Sequence, residues 1–177
     1  MKQIILFLFC SILFISCTDN IKPTALSGSS KNIYPEQEGW NNTVTFSDSG
    51  MVRAILIAGH LTQFQNSSRT IIDEGMKIHF FNNYGVHSSI LTAQSGWADE
   101  ESKDLYAKGD VKIISDSGVV VESTEMNWSN TTQKVFSDKF VKIISKTEIL
   151  QGHGFESDHN LQNYKIFKVS GTAQSVE

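Results

Sequence analysis

The sequence predicts an all-β protein built from stacked antiparallel hairpins. Similar strand segments begin at residues 44, 76, 111 and 141, at spacings of 32, 35 and 30 residues. Hairpin turns follow three of them: Ser-Asp-Ser-Gly at 47–50 recurs at 115–118, and Asn-Asn-Tyr-Gly stands at 82–85. Both prolines precede residue 40. Because proline cannot donate to a sheet ladder, the rest of the chain suits long paired strands.

Each unit of this repeat has three strands. The first leg ends in a glycine turn, the second leg ends in a polar turn, and a third leg leads into the next unit, as 69–72, 102–109 and 132–138 do. The segments run for about four to eight residues and are rich in β-branched and aromatic side chains, which is typical of strands. The body shows no convincing 3.6-residue apolar period, so we predict no helix there.

Residue parity assigns the two faces of the sheet, because alternate side chains of a strand point to opposite faces. Lys77, Lys112 and Lys142 hold one register in three repeats, which predicts that their face is exposed to solvent. The other face should be a continuous apolar surface formed by Val44, Phe46, Met76, Ile78, Phe80, Val111, Ile113, Val141 and Ile143. Its rim or floor should be lined by the aromatic residues that follow the second legs, which are Trp97, Trp128 and Phe155.

Composition limits both the size and the class of the protein. The 177 residues are 40% hydrophobic and 19% charged, which suits one folded domain with a short extension. The net charge is −4, and the sequence has no basic stripe that could follow a phosphate backbone. We therefore expect no binding to nucleic acid.

The N-terminus predicts a lipoprotein signal peptide at residues 1–16. A short basic start precedes an apolar run over residues 4–15, which is too short to span a bilayer as a helix. The run ends in Leu-Phe-Ile-Ser-Cys at 13–17, which resembles a bacterial lipobox and predicts a lipid on Cys17. The alternative is an ordinary signal peptide with an incidental cysteine. Cys10 would leave with the signal peptide, so the mature chain would have no disulfide.

A tether, a body and a polar tail should follow the signal peptide. Residues 17–40 are rich in Ser, Asn, Gly and Pro and have no sustained apolar period, so we expect a flexible lipidated tether there. The body should occupy residues 41–171 and the polar tail residues 172–177. The tether would hold the body close to a bacterial membrane.

Residue spacing gives no support for catalysis or for a metal or cofactor. No histidine pair has tight ligand spacing, and His153 and His159 would be about 20 Å apart along an extended strand. The acidic runs at 73–74 and 99–101 fall in predicted turns, where we expect solvated side chains. No serine lies in a Gly-X-Ser-X-Gly elbow, and no glycine-rich loop opens a helix. We predict a protein that is not an enzyme and has no cofactor and no metal.

Several stretches of the body, roughly residues 40–171, resemble the LptC family of periplasmic proteins in lipopolysaccharide export. They are Trp-Asn-Asn-Thr-Val-Thr-Phe-Ser-Asp-Ser-Gly at 40–50, Met-Asn-Trp at 126–128, Gln-Lys-Val at 133–135 and Ile-Phe-Lys-Val-Ser-Gly at 166–171. The matching motif residues are Gly152, Gly154, Phe155 and Asp158. Many members of the family have an uncleaved transmembrane helix, whereas this chain has a lipobox-like run.

The resemblance implies an open twisted β-jellyroll, a groove-like stack of antiparallel hairpins. Such a protein would accept lipopolysaccharide from an inner-membrane ABC transporter and pass it to a downstream periplasmic jellyroll. Each methylene that leaves water gains about 0.8 kcal/mol, so exposing a twelve-carbon chain costs on the order of 10 kcal/mol. The groove that would hold the lipid A acyl chains is the apolar face defined above, together with Trp128 and Phe155. The expected location is the periplasmic face of the inner membrane rather than the outer membrane.

The final strand candidate, at residues 164–169, predicts where the downstream partner would bind. It has no proline and only two lysines, so its edge should remain open to a further strand. We expect this edge to add to the exposed strand of the downstream jellyroll. The edge residues are Ile166, Phe167, Lys168 and Val169.

Two other functions stay open on the residues alone. A structural β protein would have its apolar face packed shut. A carbohydrate-binding or hydrolytic protein would expose tryptophans beside paired acids, for which Trp97 near Asp99 is the only hint. The first alternative depends on whether four residues line an open trough or contact an opposing sheet, namely Val44, Ile78, Ile113 and Ile143.

Overall fold

The computed structural model describes residues 34–171, which form ten β-strands and confirm the all-β prediction. The strands are β1 (Pro35–Asp48), β2 (Met51–Phe64), β3 (Arg69–Phe81), β4 (His87–Ala93), β5 (Ser95–Asp99), β6 (Leu105–Ser115), β7 (Val120–Ser129), β8 (Lys134–Ile144), β9 (Ile149–Asp158) and β10 (Tyr164–Val169). Within this range no helix is long and apolar enough to cross a membrane. The predicted signal peptide, Cys17, most of the predicted tether and the polar tail lie outside the described residues.

The ten strands form one antiparallel sheet in which most spatial neighbours are also neighbours along the chain. The order is β1-β2-β3-β4-β6-β7-β8-β9-β10, and β5 continues the line of β4 by pairing with both β3 and β6. Among the described residues, β1 and β10 each pair on one side only. The sheet is therefore open rather than closed into a barrel, as the predicted jellyroll requires.

The glycine turns lie where the repeat predicted them. Asp48 pairs with Met51, so Ser49 and Gly50 form a two-residue loop, and their φ angles are 52° and 80°. Two successive positive φ angles are typical of a type I′ turn, whose twist matches that of the flanking strands. Gly85 and Gly118 also have positive φ, at 74° and 91°.

The start of β1 differs from the predicted boundary between tether and body. Residues 35–40, which we assigned to the tether, pair with β2 up to Pro35 opposite Phe64. Proline is tolerated here because it occupies the first residue of an edge strand. Trp40 stacks on His60 with ring centroids 4.8 Å apart, which helps to hold the segment on the sheet. The polar sequence concealed a strand whose side chains are mostly solvated.

A line of irregularities crosses the strands at mid-length, and we call it the crease. Register shifts interrupt the pairing of β2 with β3, β6 with β7, β7 with β8 and β8 with β9 near this line. β-Bulges of this kind bend a strand and increase its twist. The crease consists of Asn41, Gly59, Glu74, Gly75, Gln94, Gly109, Asp110, Thr124, Asp138, Lys139 and Gly154.

The crease divides the sheet into two walls that face each other. Wall A contains the strand segments joined by the turns at 49–50, 82–86, 116–119 and 145–148, and wall B contains those joined by the turns at 65–68, 100–104, 130–133 and 159–163. Phe80 of wall A lies 5.5 Å from Trp128 of wall B between ring centroids, and Phe46 of wall A lies 6.3 Å from the same indole. The inner faces of both walls contribute to one hydrophobic core.

The outer face of wall A carries the three repeated lysines, as parity predicted. Lys77 is exposed, and Lys112 and Lys142 are half-buried. Glu122 stands between Lys112 and Lys142 in the register, and its carboxylate lies 2.8 Å from Lys112 Nζ. This ion pair lowers the pKa of Glu122. The inner and outer faces are thus assigned correctly along the first legs of the repeat.

Candidate lipid-binding interior

The eleven residues predicted to line a groove do share the inner face, but they differ in exposure. Nine are buried in the core: Met76, Ile78, Phe80, Val111, Ile113, Trp128, Val141, Ile143 and Phe155. Val44 and Phe46, on the edge strand β1, are only partly buried and pack against that core. The interior is therefore packed along most of the stack and accessible at the β1 end.

The predicted open trough is wrong for most of its length. Ile78, Ile113 and Ile143 are fully buried because wall B covers them. Parity identified the apolar face but could not show that the crease folds this face onto the rest of the same sheet. The two walls remove each other's apolar surface from water.

A cavity of about 450 Å³ opens into the interior at the β1 end. This volume falls within the range of about 300–1,000 Å³ that is typical of ligand pockets. Its apolar lining comes from both walls and consists of Val44, Phe46, Leu56, Leu61 and Ala98. Its polar lining includes Glu38, Asn42, Asp99, Glu100 and Lys103. The cavity thus combines an apolar lining with charged side chains, which suits an amphipathic ligand.

One polar atom of the cavity lining lacks a partner. Asn42 Nδ2 is a buried donor without a hydrogen bond to any of the described residues. A buried donor without an acceptor is unfavourable by about 1–3 kcal/mol.

Trp128 is the central aromatic residue of the interior, whereas Trp97 lies on the opposite face. Trp128 is 1% exposed. Trp97 pairs with Tyr106 and stacks on it at 5.5 Å, and the guanidinium of Arg69 lies 4.0 Å from the indole centre. The expectation that Trp97 lines the groove is wrong. Trp128 pairs with Leu105, whereas Trp97 pairs with Tyr106. Because Leu105 and Tyr106 are adjacent in β6, they point to opposite faces, and so do the two tryptophans.

The loop between β9 and β10 closes the interior at the free ends of the walls. Leu161 is buried in the core, and His159 is only 8% exposed. Ser88 Oγ donates to the Phe80 carbonyl at 3.1 Å, so it accepts from His159 Nδ1 at 2.9 Å. Ser89 Oγ donates to the His159 carbonyl. These contacts link β4 of wall A to the 159–163 turn of wall B, and we call them the His159 latch.

Burial gives the His159 latch a defined pH dependence. Desolvation lowers the pKa of His159, Asp158 opposes this effect and Arg53 adds to it. An unfolded histidine binds its proton near pH 6.5. The stability contributed by neutral His159 is therefore fully present above pH 6.5 and is lost as the pH falls through the lower folded pKa. When the pH is lowered from about 7.5 to 5.5, the free energy of unfolding measured in urea should fall less for His159→Gln than for the wild type.

His60 provides a matched control, because its contribution to stability changes with pH in the opposite direction. His60 Nδ1 lies 2.6 Å from Asp73 Oδ1 and His60 Nε2 lies 3.0 Å from Glu38 Oε1, and these bonds raise the pKa of His60. The contribution of His60 to the free energy of unfolding is present below pH 6.5 and is lost as the pH rises through the folded pKa. The difference in stability between wild type and His60→Gln should therefore shrink as the pH rises. A His159 ring that titrates at or above pH 6.5 in NMR spectra would contradict the prediction for the latch.

The motif residues near the C-terminus explain how β10 and the latch are held. A Cβ on Gly152 would lie 2.3 Å from the Lys168 carbonyl oxygen, and Gly154 has a φ of 78°. Both positions therefore require glycine. Phe155 is fully buried in the core. Asp158 Oδ1 accepts from the Gln162 amide at 3.0 Å, and Oδ2 accepts from Asn163 Nδ2 at 2.9 Å, so this carboxylate organises the loop before β10.

The outer surface beside β10 carries an aromatic patch that the sequence did not reveal. Phe136, Phe140 and Phe167 are 41%, 43% and 56% exposed. A surface cavity of about 360 Å³ lies there, and Phe136, Gly154 and Phe167 contribute to its lining. Exposed aromatic residues next to an unpaired strand are typical of interaction surfaces. The signal in the sequence was weak because these residues come from β8 and β10, which are not neighbours in the sheet.

The histidines and acids that were considered for chemistry have separate structural partners. His153 packs edge-on against Phe140, whereas His159 is buried and has different partners. Asp99 Oδ1 accepts from the amides of Glu101 and Ser102 in a turn, which lowers the pKa of Asp99. The prediction that residues 73–74 form a turn is wrong, because they lie within β3 at the crease. Among residues 34–171, no group of three or more His, Cys, Asp or Glu side chains could hold a metal ion.

In the part of the chain that the structure describes, fold and interior together define an open β-jellyroll with an apolar inside and a strand with one open edge at each end. The model of the family described as lipopolysaccharide-assembly, LptC-related, matches residues 4–173. The chain belongs to this LptC-related family, which is a periplasmic, non-enzymatic family associated with the inner membrane and with lipopolysaccharide transport. The partners of the family are lipopolysaccharide and the lipopolysaccharide transport machinery. A comparison with curated proteins finds no match.

Proposed function

We propose that this protein accepts lipopolysaccharide from an inner-membrane ABC transporter and passes it through its apolar interior to a downstream periplasmic jellyroll. The observation that carries the proposal is the single folded sheet whose apolar interior runs between β1 and β10, which among residues 34–171 each pair on one side only. An acyl chain can stay out of water along such an interior without any chemical step. Membership of the LptC-related family supports the same role.

The two ends of the sheet suggest a direction of transfer. The cavity of about 450 Å³ lies at the β1 end, so acyl chains would enter there between Val44, Phe46 and Leu56. The β10 end has an open edge beside the aromatic patch, where a second jellyroll would join. Transfer then proceeds from β1 towards β10.

Movement of lipid through the packed part of the interior requires the walls to separate. Separation exposes core side chains such as Ile113 and Ile143, but an acyl chain between the walls covers them again. Each methylene of that chain contributes about 0.8 kcal/mol when it leaves water, which offsets the lost contacts between the walls. The His159 latch joins the free ends of the walls and must open when the chain passes.

A photo-crosslinking residue tests the route at neighbouring positions of opposite orientation. Phe46 lines the cavity and Thr45 is exposed on the other face of β1. We expect crosslinking at 46 to capture lipopolysaccharide in cells and crosslinking at 45 to capture little. A second pair, Ile113 and Lys112, tests whether lipid reaches the middle of the stack. Equal capture on both faces would contradict the assignment of the interior as the route.

The packed interior is the observation that favours a structural role instead. In that case neither Phe46 nor Ile113 would capture lipid, although the protein would remain folded. The carbohydrate-binding alternative has less support, because Arg69 and Tyr106 pack on Trp97, the residue on which it depended.

We also propose that a lipid on Cys17 anchors the body to the periplasmic face of the inner membrane. The lipobox-like run at 13–17 and the family's association with the inner membrane support this anchor. Cys17→Ser should release most of the protein from washed membranes into the soluble fraction. An unmodified N-terminal mass in the wild type, together with unchanged fractionation of the variant, would argue against lipidation.

A further inference from the structure

Two histidines on the outer face of wall A point their ring nitrogens at each other. The hairpin between β3 and β4 places His79 Nδ1 3.2 Å from His87 Nε2. The two ring centroids are 5.3 Å apart, with the ring planes tilted by 58°. Both side chains are partly exposed, so a small ligand can reach them from solvent.

A carboxylate in the turn after β6 fixes the orientation of this pair. Asp116 accepts from His87 Nδ1, with both carboxylate oxygens 2.9 Å from that nitrogen. In the neutral ring of His87 this places the proton on Nδ1, and the lone pair of Nε2 then faces His79. A carboxylate that bonds to the outer nitrogen of a histidine is a common arrangement behind a metal ligand, because it fixes the tautomer and raises ligand basicity.

The distance between the two facing nitrogens fits one transition-metal ion. Zinc lies about 2.0–2.1 Å from histidine nitrogens. With the nitrogens 3.2 Å apart, these bond lengths give an N–metal–N angle of about 100–106°, close to tetrahedral. Each ring must turn so that its lone pair points at the ion instead of at the other nitrogen. The proton that His79 Nδ1 donates to His87 would move to His79 Nε2, so both rings remain neutral.

The surroundings of the pair contain one opposing and one supporting charge. Lys77 carries a positive charge near His79, and this charge works against a cation. Asp116 supplies a negative charge on the far side of His87. With no third His, Cys, Asp or Glu ligand placed among the described residues, water would complete the coordination.

We propose that His79 and His87 form a two-histidine site for a borderline divalent metal, Zn²⁺ or Cu²⁺, with Asp116 as a positioning residue behind His87. Imidazole ligands suit these ions, whereas Mg²⁺ and Ca²⁺ prefer oxygen ligands. A bound ion would join β3 and β4 beside the turn at 82–86. The site revises the expectation of no metal: the two histidines are eight residues apart in sequence and meet only because the hairpin folds back on itself.

Metal titration of the full chain without a histidine tag tests the site. Zn²⁺ competition against a chromophoric chelator should show one saturable site, and Mg²⁺ and Ca²⁺ should not compete. His79→Gln and His87→Gln should abolish this binding, whereas His153→Gln, a change at an exposed histidine elsewhere, should leave it unchanged. Asp116→Asn should weaken the affinity about 10- to 100-fold if the carboxylate supports the ligand.

A measurement on the wild type makes the test independent of variant folding. Substoichiometric Cu²⁺ should broaden the ring signals of His79 and His87 in NMR spectra before those of His60, His153 and His159. The absence of saturable Zn²⁺ binding would overturn the proposal. Zn²⁺ binding that survives in a folded His79→Gln variant, or Cu²⁺ that broadens another histidine first, would also overturn it.

Discussion

Ile113→Asp should destabilise the folded protein by about 5 kcal/mol or more. Ile113 is fully buried and pairs with Leu91 and Val121, which are also buried in the core. Removing the large aliphatic side chain costs about 2–5 kcal/mol, and burying a carboxylate without a partner adds several more. Because domains of this size are stable by only about 5–15 kcal/mol, the variant should be largely unfolded.

Ile114→Asp is the matched control, since Ile114 is the adjacent residue on the outer face and is 46% exposed. Its cost should stay within about 1 kcal/mol. Urea unfolding followed by the fluorescence of the buried Trp128 measures both variants. Similar losses in the two variants would contradict the assignment of inner and outer faces. The comparison concerns the fold alone, so it does not depend on lipid transport.

Phe167→Pro should weaken binding of the downstream jellyroll about tenfold while the rest of the protein stays folded. The Ser170 amide donates to the Gln151 carbonyl of β9 at 2.9 Å. Because amides in an antiparallel strand alternate in direction, the amides of Lys168 and Ile166 also face β9, and that of Phe167 faces the open edge. Proline at 167 therefore removes a donor from the partner side of β10 and places its ring there.

Phe167→Ala keeps the amide and should retain more of the affinity than Phe167→Pro. Lys168→Pro should instead break the pairing of β10 with β9. Binding to the purified downstream jellyroll measures all three variants, and thermal unfolding checks that Phe167→Pro remains folded. Normal binding by Phe167→Pro, together with loss of binding when residues 44–46 are deleted, would reverse the proposed polarity.

The local features of the fold could be predicted because short-range rules determine them. Glycine turns, such as that at Gly50, and the two-residue alternation around Lys112 depend on neighbours in sequence. The final strand also occupies the predicted residues 164–169. Each of these features follows from backbone sterics or from which face of a strand meets water.

The features that escaped prediction depend on how distant segments meet. The crease adds or removes one residue of register within strands, and a one-residue shift reverses which face a side chain occupies. Trp97 and Trp128 both follow a second leg of the repeat, but they pair with the adjacent residues Tyr106 and Leu105 and so face opposite sides. The packed interior and the His159 latch involve contacts between walls, such as that between Ser88 and residue 159. No spacing along the chain encodes these contacts.

The order of the strands has a consequence for how the protein folds and how it can grow. Close backbone contacts run almost entirely between strands that are adjacent in the sheet. Such a quasi-one-dimensional arrangement allows folding to start at any hairpin and to spread to its neighbours without closing long loops. Stability then combines terms from successive strand pairs with the side-chain contacts between the two walls, such as that of Ser88 with His159. A strand contributed by another polypeptide would meet at β10 the same kind of interface that β10 meets at β9, so assembly would continue the process by which the chain folds.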